Sequence, residues 1–150
     1  MSNWTLARCR ENVERHGWNA TGTVTADEVA YVYTTGLTTH LGCPELVIAG
    51  LDPHTGHDLL KAAVAKAEAG AALEPGVLYE GMAEGFVVRF RDVFRPACRL
   101  SFALTNGFYG KSVAFRQLLW PDSSGRFPGE PGCGEWIASV QDIGGVGQHG

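Results

Sequence analysis

The sequence predicts an α+β domain: a mostly antiparallel sheet, or a partly closed barrel, with two to three helices packed against it. Strand-like alternation or short β-branched runs occur in six stretches, helical periodicity in only three. The resulting order, α-β-β-β-α-β-β-α-β, does not separate strands regularly by helices, which argues against a doubly wound parallel sheet. A chain of 150 residues is the usual size of one domain with its own core. No repeat or linker divides it, so residues 1–143 are read as a single unit. The glycine-rich tail 144–150 lacks apolar anchors and is expected to be flexible.

The first helix is predicted over 6–16, because Leu6, Cys9 and Val13 fall on one face and Gly17 supplies a C-terminal stop. Residues 18–25 and 29–35 read as a strand hairpin around a turn at 26–28. Residues 36–44 are predicted to form a loop. The short apolar run 46–49 then reads as a strand buried on both faces. The central helix follows from Asp52 as N-cap, Pro53 at the first helical position, and an apolar stripe of Leu59, Leu60, Ala63, Val64 and Ala67 that ends at Gly70.

Pro75-Gly76 marks a turn, and 77–80 and 86–93 read as strands. In the second, Phe86, Val88 and Phe90 share one face while Arg89 and Arg91 share the other, predicted to be solvated. A helix is predicted over 96–105, stopped by Asn106-Gly107, and a last strand over 113–120 ends at a Pro121-Asp122 turn.

The net charge of −4 gives no broad electropositive footprint, which disfavours a nucleic-acid partner. Arg89, Arg91, Arg95 and Arg99 form a local basic strip that a solvated strand face explains. The N-terminal segment is charged early and has no apolar core of a signal peptide, and no run approaches the ~18 apolar residues of a membrane span. The expectation is a cytoplasmic protein without a membrane partner. Its four scattered cysteines, which include no CxxC pair, should then be reduced.

Three constellations could carry chemistry. Tyr33, Thr34, Thr35 and Thr38 offer hydroxyls, His40 an acid/base, and Glu45 a carboxylate, beside Gly36, which permits close approach of a ligand. Tyr33, His40 and Glu45 are the candidate catalytic residues. Gln117 sits on an apolar strand face, and with Trp120, Asp122 and Arg126 it forms a second candidate ligand-binding group with Thr35 and Gly36. Asp122 and Arg126 pairing across their turn is the structural alternative. His40, Cys43, His54 and His57 have spacings that could hold zinc, but an extended 45–50 would set the two pairs ~20 Å apart. No metal or cofactor is therefore predicted. No Walker A, GxSxG or HExxH motif is present.

The stretches YTTGLTTHLGCPELVIAGL (33–51) and QLLWPDSSGRFP (117–128), with the His16-Gly17-Trp18 run, resemble the DUF4262 family over about residues 10–131. Cys43 departs from that pattern, where histidine often precedes the proline. The resemblance implies a bacterial protein whose family has no established function. Combined with the polar loop residues, it leads to the expectation of a small molecule bound or transformed in one pocket lined by 33–45 and 117–126, possible in a biosynthetic pathway. The alternatives are a non-catalytic interaction module using Trp4, Trp136 or Phe108-Tyr109, with a homo-oligomer among its forms, and a flavin (FMN) split barrel by fold analogy alone.

Overall fold

The computed structural model describes residues 3–144. The tail beyond Gly144 lies outside the described residues, as do the side chains of Trp4 and Phe86 and the roles expected of them. Five α-helices and six strands occur among the described residues: α1 (Asn3–His16), β1 (Asn19–Val24), β2 (Ala30–Thr35), α2 (Leu37–Leu41), β3 (Glu45–Ala49), α3 (Pro53–Glu68), β4 (Leu78–Ala83), β5 (Phe86–Asp92), α4 (Ala103–Tyr109), β6 (Phe115–Leu119) and α5 (Glu135–Val140). No described helix is long and apolar enough to cross a membrane.

The six strands form one open sheet in the order β1-β2-β3-β6-β5-β4. Every neighbouring pair is antiparallel except β3 and β6, which run parallel. The fold is therefore α+β with a mixed, mostly antiparallel sheet that does not close into a barrel.

Register decides what meets what. Tyr33 pairs with Val47, Val47 with Gln117, and Gln117 with Arg91. These four side chains share one face of the sheet. That face packs with Cys9 of α1, Phe102 and Leu104 against Tyr31, Tyr33 and Phe115. The other face carries Val32, Ile48, Phe90 and Leu118 and is covered by Leu59, Leu60, Ala63 and Val64 of α3. With layers on both sides, every residue of β3 is buried, residues 46–49 as their unbroken apolar run predicts and Glu45 besides. The Asp52 carboxylate accepts from the Thr55 N–H at 3.0 Å, so α3 starts at its expected cap.

Three helices depart from the sequence reading, which placed two to three in all. Residues 37–41 form α2 instead of a loop, although two threonines make it a weak helix former. Pro96 lies in a 3-10 turn (Arg95–Ala97), and the predicted 96–105 helix is displaced to α4, which runs through Asn106-Gly107 and stops at Gly110. Here tertiary contacts override propensity: Thr105 Oγ1 donates to the Thr34 carbonyl at 2.8 Å, and Tyr109 reaches Glu45. The third is α5, whose Ile137 and Val140 pack against the α3-side core.

The face carrying Arg89 and Arg91 is not solvated as predicted. Arg91 is 7% exposed, because the segment after β6 folds back over it. Arg89 lies over the Phe127 ring and pairs with Glu130 at 3.1 Å.

Candidate functional site

The first predicted group is organised around Glu45, which is fully buried. Its carboxylate accepts from the backbone N–H groups of Gly36, Leu37 and Thr38 at 3.2, 3.1 and 3.0 Å. It also accepts from Thr34 Oγ1 at 2.7 Å and from the Tyr109 hydroxyl at 2.6 Å. These amides are the orphan donors at the start of α2, so a carboxylate from the next strand serves as the cap that Gly36 cannot supply. All of its acceptor capacity is engaged within the fold.

Tyr33 and Thr35 are likewise interior. The Tyr33 hydroxyl accepts from the Leu104 N–H at 3.3 Å, and burial pushes its pKa up. Thr35 Oγ1 and Thr105 Oγ1 share a hydrogen bond of 2.8 Å. His40 stands apart from them on the surface, with Nε2 3.2 Å from Glu68 of α3.

Gln117 and Trp120 belong to a second interior network. Arg91 Nε donates to Gln117 Oε1 at 3.0 Å, and both side chains donate to the Gln141 carbonyl, at 2.9 and 2.7 Å. Gln141 returns the contact: its side chain accepts from the Trp120 N–H at 3.0 Å and donates to the Trp120 carbonyl at 2.8 Å. The Trp120 indole donates to the Ala49 carbonyl at 2.9 Å. Burial lowers the Arg91 pKa to about 10, against the field of Asp142, so the guanidinium remains charged at neutral pH. The odd amide on an apolar face is thereby explained as a fastener for the C-terminal segment. Gln141 was not singled out from sequence, since a glutamine after a short helix carries no signal.

Asp122 does not pair with the Arg126 guanidinium. Its carboxylate accepts from the backbone N–H groups of Arg126, Ser124 and Gly134, each at 2.9 Å, and these bonds hold its pKa down. Arg126 Nη1 donates to the Gly132 carbonyl at 3.3 Å. The metal candidates are dispersed: His54 lies 3.7 Å from Asp58, His57 stacks on Trp18, and His40 meets Glu68. Among the described residues no group of three or more His, Cys, Asp or Glu side chains could hold a metal ion.

The two predicted segments thus meet, through Tyr33, Val47 and Gln117 on adjacent strands, but in packed interior. None of the five concavities described has Tyr33, Glu45 or Gln117 in its wall. The most enclosed, of about 240 Å³, lies between the β1–β2 turn and the end of α5, where Arg99 donates to the Asp142 carbonyl at 2.6 Å.

A different place gathers polar groups around open space. At the β1 edge of the sheet, α1 and α3 approach from opposite faces and leave a cleft of about 390 Å³ lined by Asn12, His16, Trp18, Asn19, His57 and Lys61. Trp18 and His57 stack with ring centroids 6.1 Å apart and planes 18° from parallel. Asn12 Nδ2 donates to Asn19 Oδ1 at 2.7 Å, which orients both amides at the floor. A second concavity of about 320 Å³ continues along β1 past Arg8, Thr21 and Leu104, sharing Asn12 and Asn19.

The chain enters this cleft through Gly17, with φ of +87°; a Cβ there would lie 2.6 Å from the His40 ring. Gly36 also passes close, since its own Cβ would lie 2.9 Å from the Gly17 carbonyl oxygen. His40 therefore buttresses the turn that presents His16 and Trp18. The sequence signals for this site were the His-Gly-Trp run and His57, the latter read only as a metal candidate. Asn12, Asn19 and Lys61 gave none, because residues from three elements converge only after the sheet edge is wrapped.

A family model described as a domain of unknown function, DUF4262, matches residues 12–134. That span contains the whole 390 Å³ cleft and the Glu45 network, and stops short of α5. No curated protein and no solved structure matches the chain.

Proposed function

The chain belongs to the DUF4262 family, and within it we propose that this protein binds a small molecule in the cleft at the β1 edge, between α1 and α3. The observation that carries this reading is a contrast between polar groups that face packed interior and polar groups that line open space. Tyr33, Glu45 and Gln117 have their hydrogen-bonding groups taken up by backbone and by other buried side chains. The cleft, by contrast, gathers an aromatic pair, two amides, His16 and Lys61 around open space of a size that suits a small ligand. Such convergence of a few polar groups on an aromatic wall supports ligand recognition. It supplies no nucleophile-and-base pair, so binding is proposed rather than a named reaction.

A fragment screen on ¹⁵N-labelled protein tests this. Hits should move the backbone resonances of Trp18, Asn19, His57 and Lys61 together. Hits that instead gather on β3 and β6, or scatter over the surface, would remove the reading.

A second reading, a docking module without chemistry, is favoured by Trp136. It is 63% exposed on α5 and touches Trp120 edge-on at 6.4 Å. Large exposed aromatics are common anchors of protein interfaces. Sedimentation of wild type and Trp136→Ala across a concentration series tests self-association through that surface; a monomer throughout for both leaves no support for it.

A further inference from the structure

This inference rests on the small-molecule reading and names the chemistry of the ligand. We propose that the β1-edge cleft takes a flat ring bearing an anionic group, a carboxylate or a phosphate.

The charge of the walls is the first observation. Lys61 is the cation of the cleft wall, beside the imidazoles of His16 and His57, Arg8 lines the adjoining concavity, and no described aspartate or glutamate lines either. This happens in a chain that carries an excess of acids, with a net charge of −4. Asp58 lies 3.9 Å from His57 Nδ1 and 3.7 Å from His54 Nε2, and Glu11 pairs with Arg15 at 3.0 Å; neither lines either concavity. Glu68, further along α3, is held by His40. Local potential in a concave site follows the charges of its walls more than the net charge of the chain.

Shape is the second observation. His57 and Lys61 are four residues apart on α3 and so stand on one side of it, one turn apart. An anion held by Lys61 therefore lies beside the stacked Trp18–His57 wall, where a flat ring finds an aromatic surface. The Asn12–Asn19 pair closes the floor with a fixed amide edge rather than an apolar one. A neutral ring would gain the stacking and forgo the cations; a simple inorganic anion would gain the cations and forgo the wall.

The test uses three probes of one shape on the whole chain: 2-naphthoate, 2-naphthyl phosphate and neutral 2-naphthamide. Each is titrated into ¹⁵N-labelled wild type and Lys61→Gln, an exposed position whose replacement leaves the core intact. The expected result is that both anions move the Trp18 indole and His57 resonances and bind about fivefold or more tightly than the amide, the scale of one exposed ion pair. That advantage should fall with added salt and disappear in Lys61→Gln. If 2-naphthamide binds at the cleft as tightly as the anions, the ligand class is wrong while the small-molecule reading stands. If an anion advantage persists unchanged in Lys61→Gln, the assigned cation is wrong and the proposal falls. If none of the three moves a cleft resonance, both the ligand class and the reading beneath it fall.

Discussion

The Tyr109 hydroxyl donates to Glu45 Oε2 at 2.6 Å, joining the end of α4 to the carboxylate that caps α2. One buried acid thus ties together β2, α2, β3 and α4. Glu45→Gln replaces one acceptor oxygen with a donor facing backbone N–H groups. It should cost about 3 kcal/mol or more, whereas Tyr109→Phe, which removes a single partner, should cost about 1–2 kcal/mol. Urea unfolding of the two variants checks the order. A Glu45→Gln protein as stable as wild type would show that the amides of α2 do not depend on that carboxylate.

The Gln141 clamp predicts a local effect. Gln141→Ala leaves both the N–H and the carbonyl of Trp120 without their side-chain partner. A loss of about 2 kcal/mol is expected. Amide exchange at Trp120 and limited proteolysis near α5 should both accelerate, while the amides of α1 and α3 should change only through the global loss. Equal acceleration everywhere would mean that the C-terminal segment is no separate fastening.

Alkaline pH should weaken the fold in two stages. Burial raises the pKa of Tyr31, Tyr33 and Tyr109 above the ordinary tyrosine value of about 10. The folded state therefore keeps protons that the unfolded chain releases. The stability these groups contribute is complete below about pH 10 and is lost as pH rises through the folded values. The Cys9 and Cys43 thiols are raised by the same cause, and their loss begins lower, from about pH 8.5. Unfolding free energies measured from pH 7 to 12 should be flat and then fall, and Tyr33→Phe should shallow the upper part of the fall. A rise in stability above pH 10 would contradict the assignment.

Gly17 and His40 should be energetically coupled. Gly17→Ala meets a left-handed backbone and the His40 ring together, and should cost about 2 kcal/mol. His40→Ala removes the collision and leaves the backbone strain, so the double variant should recover about 1 kcal/mol relative to the sum of the singles. A double-mutant cycle by thermal or urea unfolding measures this. Simple additivity would show that His40 yields freely and does not buttress the turn.

Local patterns carried much of the fold. The apolar stripe from Leu59 to Val64 and the Asp52-Pro53 start located α3, and the continuous run in β3 announced a strand covered on both faces. The sites were harder to read. Glu45 and Gln117 stand out in the sequence as polar residues needing partners, and the structure supplies these from the α2 amides and the Arg91–Gln141 pair, contacts that no local pattern announces. The charged face of β5 was read as wet because alternation reports which residues share a face, and says nothing of a later segment that folds over it.

By itself the sequence determined the α+β class, six strands, the two long helices and the family pattern, because each rests on a period or motif contained within a few turns of chain. Tertiary structure alone decided the parallel β3–β6 pairing, the short helices α2 and α5, the position of α4, and the cleft where Asn12, Trp18 and Lys61 meet. The physical reason is the same for all of these. Five to seven residues of modest propensity do not hold a helix on their own, and a cleft wall drawn from separate elements leaves no local trace. The short helices α2 and α4 exist only once distant groups, Glu45 for α2 and Tyr33 and Thr34 for α4, supply the hydrogen bonds that local sequence lacks.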